Sequence, residues 1–391
     1  MSPISPEQPV AWRRELHQYP ELSGEEFATT ARITRWLQQA DIRLLPLGLK
    51  TGVVAELGQG DPLIALRADI DALPITEAVD RPWASQHPGV MHACGHDLHT
   101  AVMLGAAYRL KQQEAMLPGR VRLLFQPAEE TFNGAQQLID AGALSSVQAI
   151  FGMHNAPELP LGTLETRGGA FYANVDRFIL RVTGKGAHAA RPQEGIDAIL
   201  VASQIVTALQ TLPGRAFSAL ESVVVSVTRF TAGNTWNVLP QTVELEGTVR
   251  THNNAIRAQI PDKIRALTGG IASGFGARVE LEWLAGPPAL INSPAWADFA
   301  LNQAAQSGYR TQQALPMMGG EDFAVYLHHV PGAFVSIGSA SEYGLHHPAF
   351  DPSEAAIAPA IDYFAALASR ALQQLENERV PEVDAWQEVT E

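Results

Sequence analysis

The feature that most constrains the fold is a change of hydrophobic rhythm along the chain. In the first part, short apolar runs alternate with helical stretches. "GVVAELG" and "LIALRADI" read as strands, as do "GRVRLLFQPAEE" and "AIFGMHNA". Between them lie helical patterns over Glu25–Asp41, from Thr100 to about Glu114, and in "NGAQQLIDAGAL", which Gly142 stops. Strands alternating with helices predict an α/β layer with a mostly parallel sheet. Near Gly168 the rhythm changes. "VDRFILRVTG" alternates polar with apolar residues, as a half-exposed strand does, and Ile196–Gln210 is strongly helical. "SVVVSVTRF", "TVELEGTVR" and "RVELEWL" read as strands, with a helix in "NAIRAQIPDKIRALTGG". This βαββαβ order fits a compact α+β domain of roughly 110 residues. After Gly286-Pro287-Pro288 a helix–strand–helix pattern resumes and runs to Gln374. A smaller domain inserted into a larger α/β domain is the simplest account.

Length and charge agree with this division. A chain of 391 residues is long enough for two domains. No run reaches the ~20 apolar residues needed to span a bilayer, and "MSPISPEQPV" does not read as a signal peptide. The single cysteine excludes an internal disulfide and fits a reducing, cytoplasmic setting. Lysine and arginine total 27 against 41 aspartates and glutamates, a formal net charge of −14. That balance argues against nucleic acid or an anionic membrane as partner. The acidic end "ENERVPEVDAWQEVTE" reads as a solvated tail.

Several short stretches carry metal-ligand or acid–base residue types. In "HACGHDLHT" the lone cysteine, Cys94, stands two residues before His96. The stretch reads either as a metal site or as a buried cysteine beside solvated histidines. "FQPAEE" ends a strand with Glu129 and Glu130, where open α/β sheets bind ligands. The two acids can share one site only if the strand has ended before them, and an acidic helix start is the plainer reading. "IFGMHNAP" puts His154 just past an apolar strand, and His346 and His347 follow "AFVSIG". Each is weak alone, but strand ends of one sheet converge on one rim. In the inserted domain His188 lies in "GKGAHAARP", while Asn237 and Arg250 sit near strand ends as possible anion binders. Gly319-Gly320 precede Glu321 and Asp322, either as a helix N-terminus open to a carboxylate or as an ordinary acidic cap.

Taken together, the motifs resemble those of metal-dependent N-acyl-amino-acid amidohydrolases, within the wider group of aminoacylases and zinc carboxypeptidases. "RRELHQYPELSGEE", "ALRADIDALPI", "HACGHDLHTA", "FQPAEE", "GMHNAP", "GKGAHAARP", "GGEDFAVY" and "LHHPAFD" occur in the order of that family, from about Trp12 to Asp351. The resemblance implies a discontinuous catalytic domain over residues 1–168 and 285–391, and an inserted lid and dimerisation domain over 169–284. It implies two divalent ions, zinc or manganese first and nickel or cobalt also compatible, on Cys94, His96, Glu130, His154 and His346, with Cys94 bridging. Glu129 falls on the general base that works with a metal-activated water, and His188 on the lid histidine that meets the scissile carbonyl. Asn237, Arg250, Gly319 and Gly320 are carried over to substrate binding, and Asp69 to a place behind the ligands. Asp97 reads as a local hydrogen-bond acceptor, and His92 and His99 take no role. Arg67 stands where the wider peptidases use a histidine ligand.

The activity implied is cleavage of the amide bond of a small N-acyl amino acid by a homodimer. A dipeptidase or carboxypeptidase of the same chemistry is the nearest alternative, and a non-catalytic small-molecule-binding relative is the alternative of another class.

Overall fold

The computed structural model describes residues 4–379, which divide into two compact units. The first comprises residues up to Gly169, Asn292–Ala314, and those from Val325 on. Its sheet has eight strands, in the order Arg43–Leu44, Val53–Gly58, Arg120–Gln126, Leu63–Asp69, Ala149–Ala156, Gly332–Gly338, Thr163–Thr166 and Arg310–Gln313. Arg120–Gln126, Leu63–Asp69, Ala149–Ala156 and Gly332–Gly338 run parallel to one another. The first two strands add antiparallel pairs at one edge, and Thr163–Thr166 runs antiparallel to Gly332–Gly338. The sheet is thus mostly parallel, as the rhythm predicts. Leu63–Asp69, Ala149–Ala156 and Gly332–Gly338 are buried at every position, which is why they read as continuous apolar runs rather than alternating ones. Because the four central strands share one direction, Asp69, Gln126, Ala156 and Gly338 end on one rim, where open α/β sheets collect ligands.

Helices His96–Gln112 and Ile357–Arg379 share the core with this sheet. They approach closely at Gly105, where a Cβ would stand 2.2 Å from Ile361 Cδ1. The second helix is long and apolar enough to cross a membrane. Its apolar side chains, including Ile357, Phe364, Leu367 and Leu372, are instead buried in the core. It also runs past Gln374, so Glu376–Arg379 are helical rather than part of a loose tail. The remainder of the predicted tail, and Met1–Pro3, lie outside the described residues.

The second unit comprises Ala170–Ile291 and Leu315–Ala324. Its sheet has the order Val223–Ala232, Thr242–Thr251, Asp176–Thr183, Arg278–Ala285, with every pairing antiparallel. Along Thr242–Thr251 buried and less buried residues alternate, the signature of a sheet covered on one face. Helices Ala198–Leu209 and Asn254–Gly274 supply that cover through Val201, Ala202, Ile205, Ile260 and Ile264. Asp197 and Asn253 cap their first turns by accepting backbone N–H bonds. Charged residues occupy other positions of the sheet, with Arg181 paired to both Glu244 and Glu282. The βαββαβ order is as expected, with the short strands Ala187–His188 and Val238–Leu239 added.

Candidate metal centre

The helix expected from Thr100 begins earlier, at His96. Gly95 makes this possible: its φ is +88°, and a Cβ there would stand 2.3 Å from Asn155 Nδ2. That Asn155 amide donates to the Cys94 carbonyl at 2.6 Å. Cys94 is thereby fixed just ahead of the helix, and His96 and His99 fall three apart on one helical face. Cys94 Sγ lies 3.3 Å from His154 Nε2. His154 comes from the adjoining strand, and its Nδ1 donates to the Asn155 carbonyl at 2.7 Å, leaving the Nε2 lone pair toward the thiol.

The strand Arg120–Gln126 has ended before the two glutamates, and Ala128 takes a left-handed φ of 53°. This turn lifts the face alternation of a strand. One donor atom each from His96, Glu129 and Glu130 lie within 4.8 Å of one another. Glu130 Oε1 stands 3.9 Å from His96 Nε2 and 3.5 Å from His346 Nε2. His346 has a φ of 64° and donates its N–H to the Ala93 carbonyl at 2.8 Å. His347 differs: it stacks on Tyr343 with ring centroids 4.4 Å apart, and its Nδ1 accepts the Ala349 N–H. Cys94 belongs to two donor sets, one with His96 and His154, the other with Glu130 and His346.

Residues that sequence reasoning left without a role orient these donors. Asp71 accepts the Nδ1–H of His96, through its carbonyl at 2.9 Å and Oδ1 at 3.1 Å. Its Oδ2 accepts Ser23 Oγ at 2.7 Å and the Glu130 N–H at 3.0 Å. His99 donates from Nδ1 to Asp69 at 2.7 Å and accepts the Asn155 N–H on Nε2 at 2.9 Å, so both its nitrogens are committed. Asp69 also takes Arg67 Nη1 at 2.7 Å and stands 3.7 Å from His96 Nε2. Asp97 is not a local acceptor: it is buried against Arg13 Nε and His17 Nδ1, each at 2.8 Å. A side chain on the first turn of a buried helix reaches whatever packs there, here the N-terminal helix Gln8–Gln18. His92 is buried with both ring nitrogens lacking hydrogen-bond partners, and burial lowers its pKa to about 4. The quoted motifs "RRELHQYPELSGEE" and "ALRADIDALPI" held Arg13, His17, Ser23 and Asp71, and motif membership was their only signal.

The electrostatics favour a cation. Burial alone would lower the pKa of His96, yet Asp69, Asp71 and Glu130 raise it to about 10. Burial and the neighbouring His99 lower His154 to about 3, the neutral form a ligand needs. Burial, with Glu130 and Glu129 adding to it, pushes the Cys94 thiol up. His96 Nε2 and Glu130 Oε1 are buried without a hydrogen-bond partner. Donors on one tetrahedral ion at about 2.0–2.3 Å stand roughly 3.3–3.8 Å apart. The Cys94–His154 and Glu130–His346 separations of 3.3 and 3.5 Å fit that spacing. The residues present therefore suit a metal ion.

The second unit holds the remaining predicted residues. His188 pairs with Val238 in the short ladder, and its exposed ring accepts the Ala190 N–H on Nδ1 at 3.1 Å. That tautomer carries its proton on Nε2. Asn237 is adjacent, accepting the Ala189 N–H on its carbonyl at 3.0 Å and the Thr235 hydroxyl at 3.1 Å on Oδ1. Arg250 is half-buried, which lowers its pKa, and it bonds the Thr248 hydroxyl and the Val249 carbonyl. The Gly319 carbonyl accepts the Ala173 N–H at 3.0 Å. Past Gly320, the Phe323 N–H goes to Glu321 Oε1 at 2.8 Å, so the acid cap uses that donor.

Comparison with known proteins places this geometry. The model of peptidase family M20/M25/M40 matches residues 65–370. The N-acetylcysteine deacetylase of Bacillus subtilis is 47% identical over 369 residues, covering 94% of this chain and 97% of that protein. The N-acyl-L-amino acid amidohydrolase of Geobacillus stearothermophilus is 42% identical over 286 residues, 72% of this chain and 77% of its own. Among solved structures, a dinuclear metal-binding peptidase of the M20 family from Bacillus subtilis is 44% identical, with a TM-score of 0.85 over 94% of this chain and 98% of that one. The chain is a member of the M20/M25/M40 peptidase family, a metal-dependent hydrolase of amide bonds.

Proposed function

We propose that this enzyme releases the amino acid from an N-acyl amino acid, with two divalent ions held by Cys94, His96, Glu130, His154 and His346 and with Glu129 as general base. The observation that carries the reading is that Cys94, His96 and His154, and again Cys94, Glu130 and His346, bring their donor atoms within 4.8 Å of one another. When bound, such ions polarise the acyl carbonyl and lower the pKa of water to about 7. Glu129, buried on the turn beside Glu130, would take a proton from the attacking water, whose oxygen adds to the acyl carbon, and would return it to the nitrogen of the leaving amino acid as the C–N bond breaks. Cys94 and Glu130 would set two negative charges against the four of two divalent ions, which would leave the site able to stabilise a developing oxyanion. His188 offers its Nε2–H to the same oxygen. Asn237, Arg250, Gly319 and Gly320 are proposed to hold the carboxylate end of the substrate.

The proposal assigns catalysis to residues 1–168 and 285–391, and the lid and dimer contact to residues 169–284. Zinc and manganese suit this mixed thiolate, imidazole and carboxylate set, as do nickel and cobalt. A cytoplasmic setting accords with the single, unpaired cysteine. The deacetylase and amidohydrolase relatives support an acyl amino acid over a dipeptide. So does Arg67, which is engaged with Asp69 where a further histidine ligand would stand. A panel of N-acetyl amino acids and dipeptides, tested on native enzyme and Glu129→Gln, decides the matter. The expected result is turnover of the acyl amino acids alone, lost in Glu129→Gln while the ions stay bound. Preference for dipeptides, or near-native turnover by Glu129→Gln, would overturn it.

A further inference from the structure

The N-terminal loop between Pro20 and Phe27 belongs to no element that supplies a donor, yet it reaches the turn that carries both glutamates. Glu26 is buried, and its Oε1 accepts the Ala128 N–H at 2.8 Å across a sequence gap of 102 residues. The same oxygen accepts the Gly24 N–H at 2.9 Å. Ala128 is the residue whose left-handed φ of 53° ends the strand alternation. An alanine resists that conformation unless its surroundings impose it.

The loop is itself fixed. Glu21 accepts the N–H groups of Ala28 and Thr29 at 3.0 and 2.7 Å, and its carbonyl accepts the Ala72 N–H at 2.8 Å. Ser23, three residues before Glu26, bonds Asp71, which in turn holds the Glu130 N–H. The backbone on both sides of Glu129 is therefore pinned by a carboxylate: Ala128 by Glu26, and Glu130 by Asp71.

We propose that Glu26 is a positioning residue for Glu129, acting by holding Ala128 in its left-handed turn. The inference rests on the reading of Glu129 as the general base. What matters is an acceptor at Oε1 rather than a negative charge. Burial raises the Glu26 pKa, with its backbone hydrogen bonds offsetting this only in part, so the site already disfavours the charge.

Two substitutions separate acceptor position from charge. Glu26→Gln keeps an oxygen at the same reach, whereas Glu26→Asp keeps the charge but withdraws it by one methylene. Both are measured as folded, metal-loaded protein, with ion content per chain determined alongside kcat and KM. Glu26→Asp is expected to lose ~10²-fold in kcat, the scale of a misplacement near 1 Å, with KM and ion content unchanged. Glu26→Gln is expected to retain most of the native kcat. Native kcat in Glu26→Asp, or equal loss in both variants, would overturn the proposal. If Glu129→Gln were itself active, the assignment of the base would fail; if Glu129→Gln were inactive and Glu26→Asp normal, only the role of Glu26 would.

Discussion

Asp71 Oδ1 stands 3.1 Å from His96 Nδ1 and, together with the Asp71 carbonyl at 2.9 Å, decides which ring nitrogen of His96 faces the donor cluster. A carboxylate only accepts, so Nδ1 carries the proton and Nε2 is left for a metal. Asp71→Asn keeps the shape but removes the charge. Its metal affinity should fall by about 10–100-fold, the usual effect of losing such an orienting partner. Competition with a chromophoric chelator measures this, and native affinity would count against the orienting role.

Arg67 and Asp69 form a fully buried ion pair at 2.7 Å. Burial alone would raise the Asp69 pKa, but His96, Arg67 and His99 hold it well below the ordinary carboxylate value. Arg67→Met would leave that charge short of a partner and should cost about 3–5 kcal/mol. Denaturant unfolding of the metal-free protein reads the loss. A change under about 1 kcal/mol, the range of exposed pairs, would show that the pair is not desolvated as the structure has it.

His17 makes stability depend on pH. Burial opposes its protonation, but Asp97 and Glu77 outweigh burial and raise its pKa above the ordinary histidine value. A histidine raised on folding contributes stability that is fully present below its unfolded pKa, about 6.5, and lost as pH rises through the folded value. The stability gap between native protein and His17→Phe should therefore narrow as pH rises above about 6.5. Thermal melts across that range measure it. A gap that widens with pH would contradict the Asp97 and Glu77 contacts.

Much of the fold was legible because strands buried along their whole length spell continuous apolar runs, as Ala149–Ala156 does. The alternation in Thr242–Thr251 equally announced a sheet covered on one face. The donors were legible because Cys94, Glu130 and His154 sit at or near strand ends or in a loop on one rim. The residues behind them were not. Asp97 meets His17 across 80 positions and Glu26 meets Ala128 across 102, and neither periodicity nor local spacing reaches so far. The helix start was misplaced by four residues because His96 and Asp97 look like loop residues, whereas Gly95 and the packing of Asn155 set the boundary.

The central claim is that two divalent ions on one donor set enable hydrolysis of an N-acyl amino acid. Stepwise return of zinc or manganese to chelator-stripped enzyme, with ion content and N-acetyl amino acid turnover followed together, tests it most directly. The account predicts no turnover in stripped protein and full turnover as binding saturates at two ions per chain, with Cys94→Ser failing to retain both. Turnover in the stripped protein, or two ions held as tightly by Cys94→Ser as by the native chain, would contradict it.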